Sequence, residues 1–281
     1  MKYVIGIDVG GSTTKIVGFV DGKIVSPFLV RANSPTASVY GAFGKFLSDN
    51  KLSLDDISKV VVTGVGSSQI HQNIYGIKTA RIDEFIAIGR GGLFLSGLSN
   101  AVIVSMGTGT ALVSANQNSV THLGGSGVGG GTLLGLSNRM LNVRNFDDLV
   151  KTASGGNLGN IDLFIGDILD MEHSSLPKNM TASNFGKISD LAEKQDVALG
   201  IINLVFQTIG VISVFASRNA GTNKIVLTGN LTNVPQTGDI FTGLEALYDV
   251  SFIIPSDAEF ATATGAAISY MDCEDNINAI G

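Results

Sequence analysis

Two short turns rich in glycine each follow an apolar run that is typical of a buried strand. The first turn, at residues 10–12, follows the run 3–8, and the second, at 107–109, follows the run 101–105. Consecutive glycines let backbone N–H groups approach an anion closely, so both turns could hold phosphate oxygens. Asp8 ends the first run, where its carboxylate could hold Mg²⁺ between two phosphate groups.

Neither turn has the sequence of the common nucleotide-binding loops. The pattern Gly-x-x-x-x-Gly-Lys-Ser/Thr does not occur, and neither turn has the Gly-x-Gly-x-x-Gly spacing of a dinucleotide fold. Each turn taken alone is as consistent with an ordinary β-hairpin as with a phosphate site. The two together, with Lys15 behind the first, indicate a phosphate clamp of another kind.

A third glycine-rich segment, residues 124–131, holds six glycines in eight positions and leads into a predicted helix that begins at Thr132. A flexible hinge between two lobes would explain this composition. We favour close backbone contact with a nucleotide, because the N-terminus of a helix attracts anions and glycine permits close approach. Phe146 would then cover the adenine.

Two adjacent carboxylates, Asp83 and Glu84, stand early in a predicted helix. One of them could accept the proton of an attacking hydroxyl group during phosphoryl transfer. Acidic residues also stabilise the first turn of a helix through its dipole. Composition alone favours the second interpretation.

The elements that must position these residues occur twice along the chain. The unit at residues 3–20, a strand, a glycine turn and a strand, recurs at 101–114, so that Asp8 corresponds to Ser105 at an offset of 97. A valine-rich run closed by Thr-Gly, at 59–64, likewise recurs at 224–229. The repeat predicts two similar α/β lobes with a cleft between them. We place the lobes at residues 1–98 and 99–259, with a final helix at about 260–272 that packs back on the first lobe.

Composition limits the classes of partner. The chain has 281 residues, of which 44% are hydrophobic and 15% charged, as in compact globular proteins. Its net charge of -6, without a run of basic residues, predicts no binding to nucleic acid. The single cysteine, Cys273, allows no intrachain disulfide and no thiolate cluster. This cysteine and an N-terminal apolar run too short for a signal peptide predict a cytoplasmic location.

The uncharged stretch at residues 197–217 is long enough to cross a membrane as a helix. Asn203, Gln207 and Thr208 stand in its middle, and no tryptophan or tyrosine marks its ends. We therefore predict a buried helix, with contact between two subunits as a variant of that interpretation, and no membrane.

Taken together, these segments resemble the type II pantothenate kinases, which belong to the superfamily of sugar kinases, Hsp70 and actin. The resemblance covers residues 8–15, 83–87, 107–110, 124–136, 160–163, 181–186 and 260–267. It implies a duplicated ribonuclease H-like fold with a nucleotide cleft between its lobes. It also implies ATP-dependent phosphorylation of pantothenate in the first step of coenzyme A synthesis, with Mg²⁺, by a homodimer packed partly through the long helix.

The resemblance also assigns roles to individual residues. Glu84 becomes the catalytic base, and Asp8 remains the candidate metal ligand. Contacts to ATP are implied or expected for Gly10, Gly11, Ser12, Thr13, Thr14, Lys15, Gly107, Thr108, Gly109, Gly129, Gly130, Gly131, Thr132, Leu133, Leu134, Phe146, Gly229 and Asn230.

His122 departs from the pattern, because the family usually has an arginine at this position, near the reacting groups. A neutral imidazole cannot replace a permanently charged group with five donors, so the substitution bears on activity or substrate choice. His122 is thus a candidate catalytic residue, or else a strand-end residue without a catalytic part. Two further functions stay open: another small-molecule kinase, acting on a sugar or amino sugar, and a catalytically silent sensor of nucleotide or acyl-coenzyme A.

Overall fold

The structure is a computed structural model that describes residues 2–31, 34–169, 177–272 and 278–280, so Cys273 lies outside the described residues. The strands are β1 (Tyr3–Val9), β2 (Thr14–Val20), β3 (Lys23–Val30), β4 (Ile57–Thr63), β5 (Thr79–Arg81), β6 (Asn100–Met106), β7 (Thr110–Asn116), β8 (Val120–Ser126), β9 (Leu163–Phe164), β10 (Thr181–Ser183), β11 (Lys224–Thr228), β12 (Ser251–Ile253) and β13 (Asn278–Ile280). The α-helices are α1 (Pro35–Asn50), α2 (Glu84–Ser96), α3 (Gly130–Leu141), α4 (Phe146–Ala153), α5 (Ile165–Ile168), α6 (Lys194–Asn219), α7 (Thr237–Tyr248) and α8 (Ala261–Asp272). Short 3-10 helices are Leu54–Asp56, Val65–Gln69, Leu158–Asn160, Asn230–Asn233 and Ala258–Phe260.

Two mixed sheets repeat one arrangement. The first has the order β13-β5-β4-β1-β2-β3 and the second the order β12-β11-β6-β7-β8. In each, three antiparallel strands connected in sequence are followed by two that run parallel to the first, β4 and β5 in one sheet and β11 and β12 in the other. The pairing confirms the duplicated α/β fold that the repeat predicts.

Helices cover both faces of each sheet. In the first sheet, one face packs on α1, where Phe43 and Phe46 contact the strands. The opposite face packs on α8, where Ala263 and Ala267 contact them. The centres of β4 (Val60 to Val62) and β6 (Ala101 to Val104) are apolar at every position because both of their faces are buried. In the second sheet, one face packs on α6 and the other on α2, where Ile88 contacts the strand residues. Helices α2 and α8 thus form a layer between the two sheets.

The long helix α6 is largely a core helix. Within the described part of the chain it is the one helix long and apolar enough to cross a membrane by length and composition, and 61% of its most apolar window is buried. Its polar centre is also bonded inside the protein, because the Asn203 side-chain amide donates to the buried carboxylate of Asp162 at 2.7 Å. The Gln207 amide donates to Thr181 Oγ1 at 3.2 Å. Residues 160–163 and 181–186 therefore pack on this helix.

Candidate active site

The two glycine turns meet at one cavity of about 380 Å³ between the sheets. Twelve residues that the sequence singled out line it: Asp8, Gly10, Gly11, Ser12, Thr13, Lys15, Glu84, Gly107, Thr108, Gly109, Gly229 and Asn230. The hydroxyl groups of Ser12 and Thr108 lie 3.1 Å apart and form a hydrogen bond across the cleft. The turns therefore face each other at hydrogen-bonding distance.

Each turn is a tight connection between two antiparallel strands. The Gly10 N–H donates to the Thr13 carbonyl at 3.0 Å, and the Gly107 N–H donates to the Gly109 carbonyl at 2.9 Å. These bonds fix the loops, and the cavity walls are formed from both. The symmetry of the two turns follows from the duplicated sheets.

Asp8 and Lys15 stand side by side at the floor of the cavity. They are paired across β1 and β2, and both side chains are buried. Burial raises the pKa of the Asp8 carboxyl group, and the nearby Lys15 ammonium opposes that rise. The carboxylate also lies close to Gly64, where a Cβ atom would come within 2.5 Å of an Asp8 oxygen. Only glycine fits there without displacing the carboxylate.

The two adjacent acids have different positions. Asp83 is exposed and caps α2, because its side chain accepts hydrogen bonds from the N–H groups of Phe85 at 2.9 Å and Ile86 at 3.1 Å. Glu84 is partly buried and lines the cavity. Desolvation, helped by the charges of Asp8 and Asp83, raises the Glu84 pKa to about 6. The capping hydrogen bonds are thus made by Asp83, whereas Glu84 faces the cavity.

The third glycine segment supports the second turn. The N–H groups of Gly130 and Gly131 donate at 2.9 Å to the carbonyls of Gly107 and Thr108, and Gly129 donates to the Thr132 hydroxyl. These amides are therefore already bonded within the protein. Of the predicted ATP contacts, Gly129, Gly130, Gly131, Thr132, Leu133, Leu134, Thr14 and Phe146 lie outside the set of described residues that line the cavity.

Packing explains three of these positions. The Leu133 side chain is fully buried in the core of the second lobe, and Phe146 packs on the same core at the start of α4. Thr14 is buried at the beginning of β2. The interpretation of Phe146 as a cover for adenine has no support from its side-chain contacts in this structure.

His122 stacks on Phe85, with ring centroids 3.8 Å apart and planes inclined by 12°. Phe85 lines the cavity and directly follows Glu84 in the chain. The imidazole therefore contacts the cavity-lining ring and does not line the cavity itself. His122 itself is exposed. The structure thus places His122 against Phe85, the residue that follows the candidate base, and not among the lining residues.

Asn230 lines the cavity and carries an unpaired group. Its side-chain oxygen is buried and has no hydrogen-bond partner among the described residues. The preceding Gly229 has φ +91°, and a Cβ atom there would come within 2.5 Å of the Met106 carbonyl.

Eight lining residues were not predicted: Val65, Phe85, Ile88, Ser105, Thr110, Ala111, Ser126 and Thr262. The repeat could have indicated Val65, because it follows Thr63-Gly64 as Asn230 follows Thr228-Gly229. Ser105 is likewise the counterpart of Asp8.

The carboxylates suit a magnesium ion that is held mainly by a nucleotide. No group of three or more His, Cys, Asp or Glu side chains with metal-binding geometry occurs in the part of the chain that the structure describes. Mg²⁺ commonly uses one or two carboxylates together with phosphate oxygens and water. Asp8, which lines the cavity, fits such a site.

Comparisons with known proteins agree with this geometry. The model of the Fumble family matches residues 99–241. Type II pantothenate kinase of Bacillus cereus is 27% identical over 285 residues, covering 95% of this chain and 98% of the relative. The type II pantothenate kinase of Oceanobacillus iheyensis is 29% identical over 274 residues, covering 94% of this chain and 98% of the relative.

Solved structures share the fold. One is the activator of 2-hydroxyisocaproyl-CoA dehydratase from Clostridium difficile with bound ADPNP, which matches with a TM-score of 0.69 at 19% identity. The match covers 96% of this chain and 94% of the activator. Another is a ROK family glucokinase from Streptomyces griseus in complex with glucose and AMPPNP, which matches with a TM-score of 0.59 at 10% identity. The match covers 94% of this chain and 98% of the glucokinase. The predicted fold of sugar kinases, Hsp70 and actin is confirmed.

Proposed function

This chain belongs to the Fumble family, the family of the type II pantothenate kinases, and we propose that it transfers the γ-phosphoryl group of ATP to pantothenate. The product is 4'-phosphopantothenate, formed in the first step of coenzyme A synthesis. One observation carries the proposal more than any other: the hydrogen bond between Ser12 and Thr108, which joins the two glycine turns across one cavity.

The triphosphate lies between the two turns. Backbone N–H groups of the turns and the Lys15 ammonium neutralise phosphate oxygens, in the way that glycine-rich loops bind anions elsewhere. Asp8 would hold Mg²⁺ directly or through water, and the ion would neutralise charge on the β- and γ-phosphates. Asn230, which lines the cavity, contacts the nucleoside.

Glu84 acts as the general base. Its pKa of about 6 leaves the carboxylate ionised at neutral pH and still basic enough to accept a proton. It takes the proton of the pantothenate hydroxyl, whose oxygen forms a bond to the γ-phosphorus. The bond from that phosphorus to the bridging oxygen breaks, and ADP leaves. Most of the catalysis comes from holding these groups in line.

His122 acts on the acceptor site through Phe85, because the imidazole stacks on this ring and the ring lines the cavity. The imidazole offers at most two N–H donors, where an arginine offers five, so this position supplies fewer bonds than in relatives with arginine.

The protein works as a cytoplasmic homodimer. Helix α6 supplies part of the subunit contact, and the Phe215 side chain on this helix is 58% exposed in the single chain. A second copy would remove that apolar surface from water.

A direct assay tests the function. Purified protein is incubated with ATP, Mg²⁺ and pantothenate, and ADP release is followed with a coupled enzyme system. We expect ADP release that requires pantothenate and stops in Glu84→Gln, while this variant still binds ATP because its shape is nearly unchanged.

Parallel reactions with glucose and N-acetylglucosamine distinguish another acceptor. Turnover with one of these sugars and none with pantothenate would show that the acceptor is a sugar. ATP binding without turnover on any of the three compounds would indicate the sensor function. Full activity of Glu84→Gln would reject the assignment of the base.

A further inference from the structure

Helices α2 and α8 touch backbone to backbone where they cross between the two sheets. A Cβ atom added to Gly91 would lie 1.8 Å from the Ala261 carbonyl oxygen, and one added to Gly265 would lie 1.8 Å from the Ala87 carbonyl oxygen. The contact is reciprocal, because each helix offers a glycine and, four residues earlier, an alanine carbonyl. No flexible side chain separates the helices at this point.

A third glycine joins α8 to the first sheet in the same manner. A Cβ atom on Gly6 of β1 would lie 2.0 Å from the Ala263 carbonyl oxygen. Gly6 precedes Asp8 by two residues on the same strand, so α8 rests directly on the strand that carries the candidate metal ligand. The path from Asp8 through β1 and α8 to α2 therefore consists of backbone contacts.

Both helices begin at the cavity. Glu84 is the first residue of α2 and lies one turn before Ala87, and Thr262, the second residue of α8, lines the cavity wall. An α-helix is rigid over a single turn. A change in the separation of the helices at the crossing therefore moves Glu84 relative to Asp8 by a similar distance.

We propose that Gly91 and Gly265 are positioning residues for phosphoryl transfer, which set the distance between Glu84 and the metal-binding Asp8 through the α2–α8 crossing. The proposal rests on the proposed function. Real Cβ atoms essentially never come within 3.0 Å of a neighbouring atom, so alanine at either position must force the helices apart by about 1.2 Å. A misplacement of about 1 Å can cost about 100-fold in rate.

The experiment compares Gly265→Ala and Gly91→Ala with a matched control, Gly243→Ala. Gly243 lies in helix α7, and a Cβ atom there would meet nothing within 4 Å. We expect the kcat of each crossing variant to fall about 100-fold at a temperature well below its unfolding midpoint, with KM for ATP changed less than about threefold. The control should keep the kcat of the unaltered protein within about twofold.

A role in stability alone would lower the unfolding midpoint of the crossing variants while leaving kcat of the folded protein unchanged, and that result would overturn the proposal. So would the failure of both variants to fold, because it would show that the glycines are needed for the fold itself.

Crystal structures separate this proposal from the proposed function. In Gly265→Ala we expect the start of α2 to move by about 1 Å relative to β1, whether or not the protein phosphorylates pantothenate. An unmoved α2 would contradict the positioning role even if the kinase activity is present. Absence of turnover in the unaltered protein, with α2 displaced in the variant, would reject the kinase function instead.

Discussion

The raised pKa of Glu84 predicts how activity depends on pH. A general base must be ionised to accept a proton, so turnover follows the ionised share of Glu84 and falls as the pH falls. With a pKa of about 6, that share is roughly nine-tenths at pH 7 and one-tenth at pH 5. A carboxyl group with the ordinary pKa of 4.5 would still be about three-quarters ionised at pH 5.

The variant Asp83→Asn tests the cause of the shift. The charge of Asp83 raises the Glu84 pKa, so its removal should lower that pKa and move the acid limb of the profile to lower pH. Asparagine keeps a side-chain oxygen that can cap α2, so the helix start should remain in place. The comparison with the unaltered protein cancels the titration of ATP itself, which is common to both.

The assay is kcat/KM for pantothenate between pH 5 and 8, at saturating ATP and Mg²⁺ and constant ionic strength. The account predicts a loss of about tenfold between pH 7 and pH 5 in the unaltered protein and a smaller loss in Asp83→Asn. A profile that stays flat down to pH 5, or an acid limb that moves to higher pH in the variant, would refute the reasoning.

Three further predictions concern other parts of the chain. Asp8→Asn should weaken binding of ATP with Mg²⁺ at least tenfold by calorimetry but change binding without Mg²⁺ little, and equal losses in both would remove the metal role. His122→Arg should raise kcat/KM for pantothenate several-fold, because a guanidinium can stack on Phe85 and adds donors; an unchanged value would place the residue outside the site. Asp162→Ala should lower the free energy of unfolding by about 3 kcal/mol in denaturant titrations, since the Phe185 N–H and the Asn203 amide lose their buried acceptor, and a loss below about 0.5 kcal/mol would contradict this.

Features that are local in the sequence predicted the fold well. The strand-turn-strand unit recurs at an offset of 97 residues and the run closed by Thr-Gly recurs later in the same order, at an offset of 165. Strand pairing between neighbours in sequence follows from such patterns. The two sheets have that repeated order. The same reasoning selected both glycine turns, and the resemblance to the type II pantothenate kinases selected Glu84; all of them line one cavity.

Features that depend on tertiary contacts were not predictable in this way. A glycine-rich helix start looks the same in sequence whether its N–H groups face a ligand or, as at Gly130 and Gly131, donate to carbonyls of a neighbouring turn. The sequence likewise could not separate the capping acid Asp83 from the cavity-lining Glu84, because only the orientation at the helix start distinguishes them. The packing of α2 on the second sheet depends on contacts with residues far along the chain.

The central claim is that both glycine turns bind one triphosphate. A crystal structure with a non-hydrolysable ATP analogue and Mg²⁺ tests it most directly. The account predicts phosphate oxygens within hydrogen-bonding distance of the turns at 10–12 and 107–109, and the metal ion on or one water from Asp8. Phosphates bound to one turn alone, or a nucleotide outside this cavity, would contradict it.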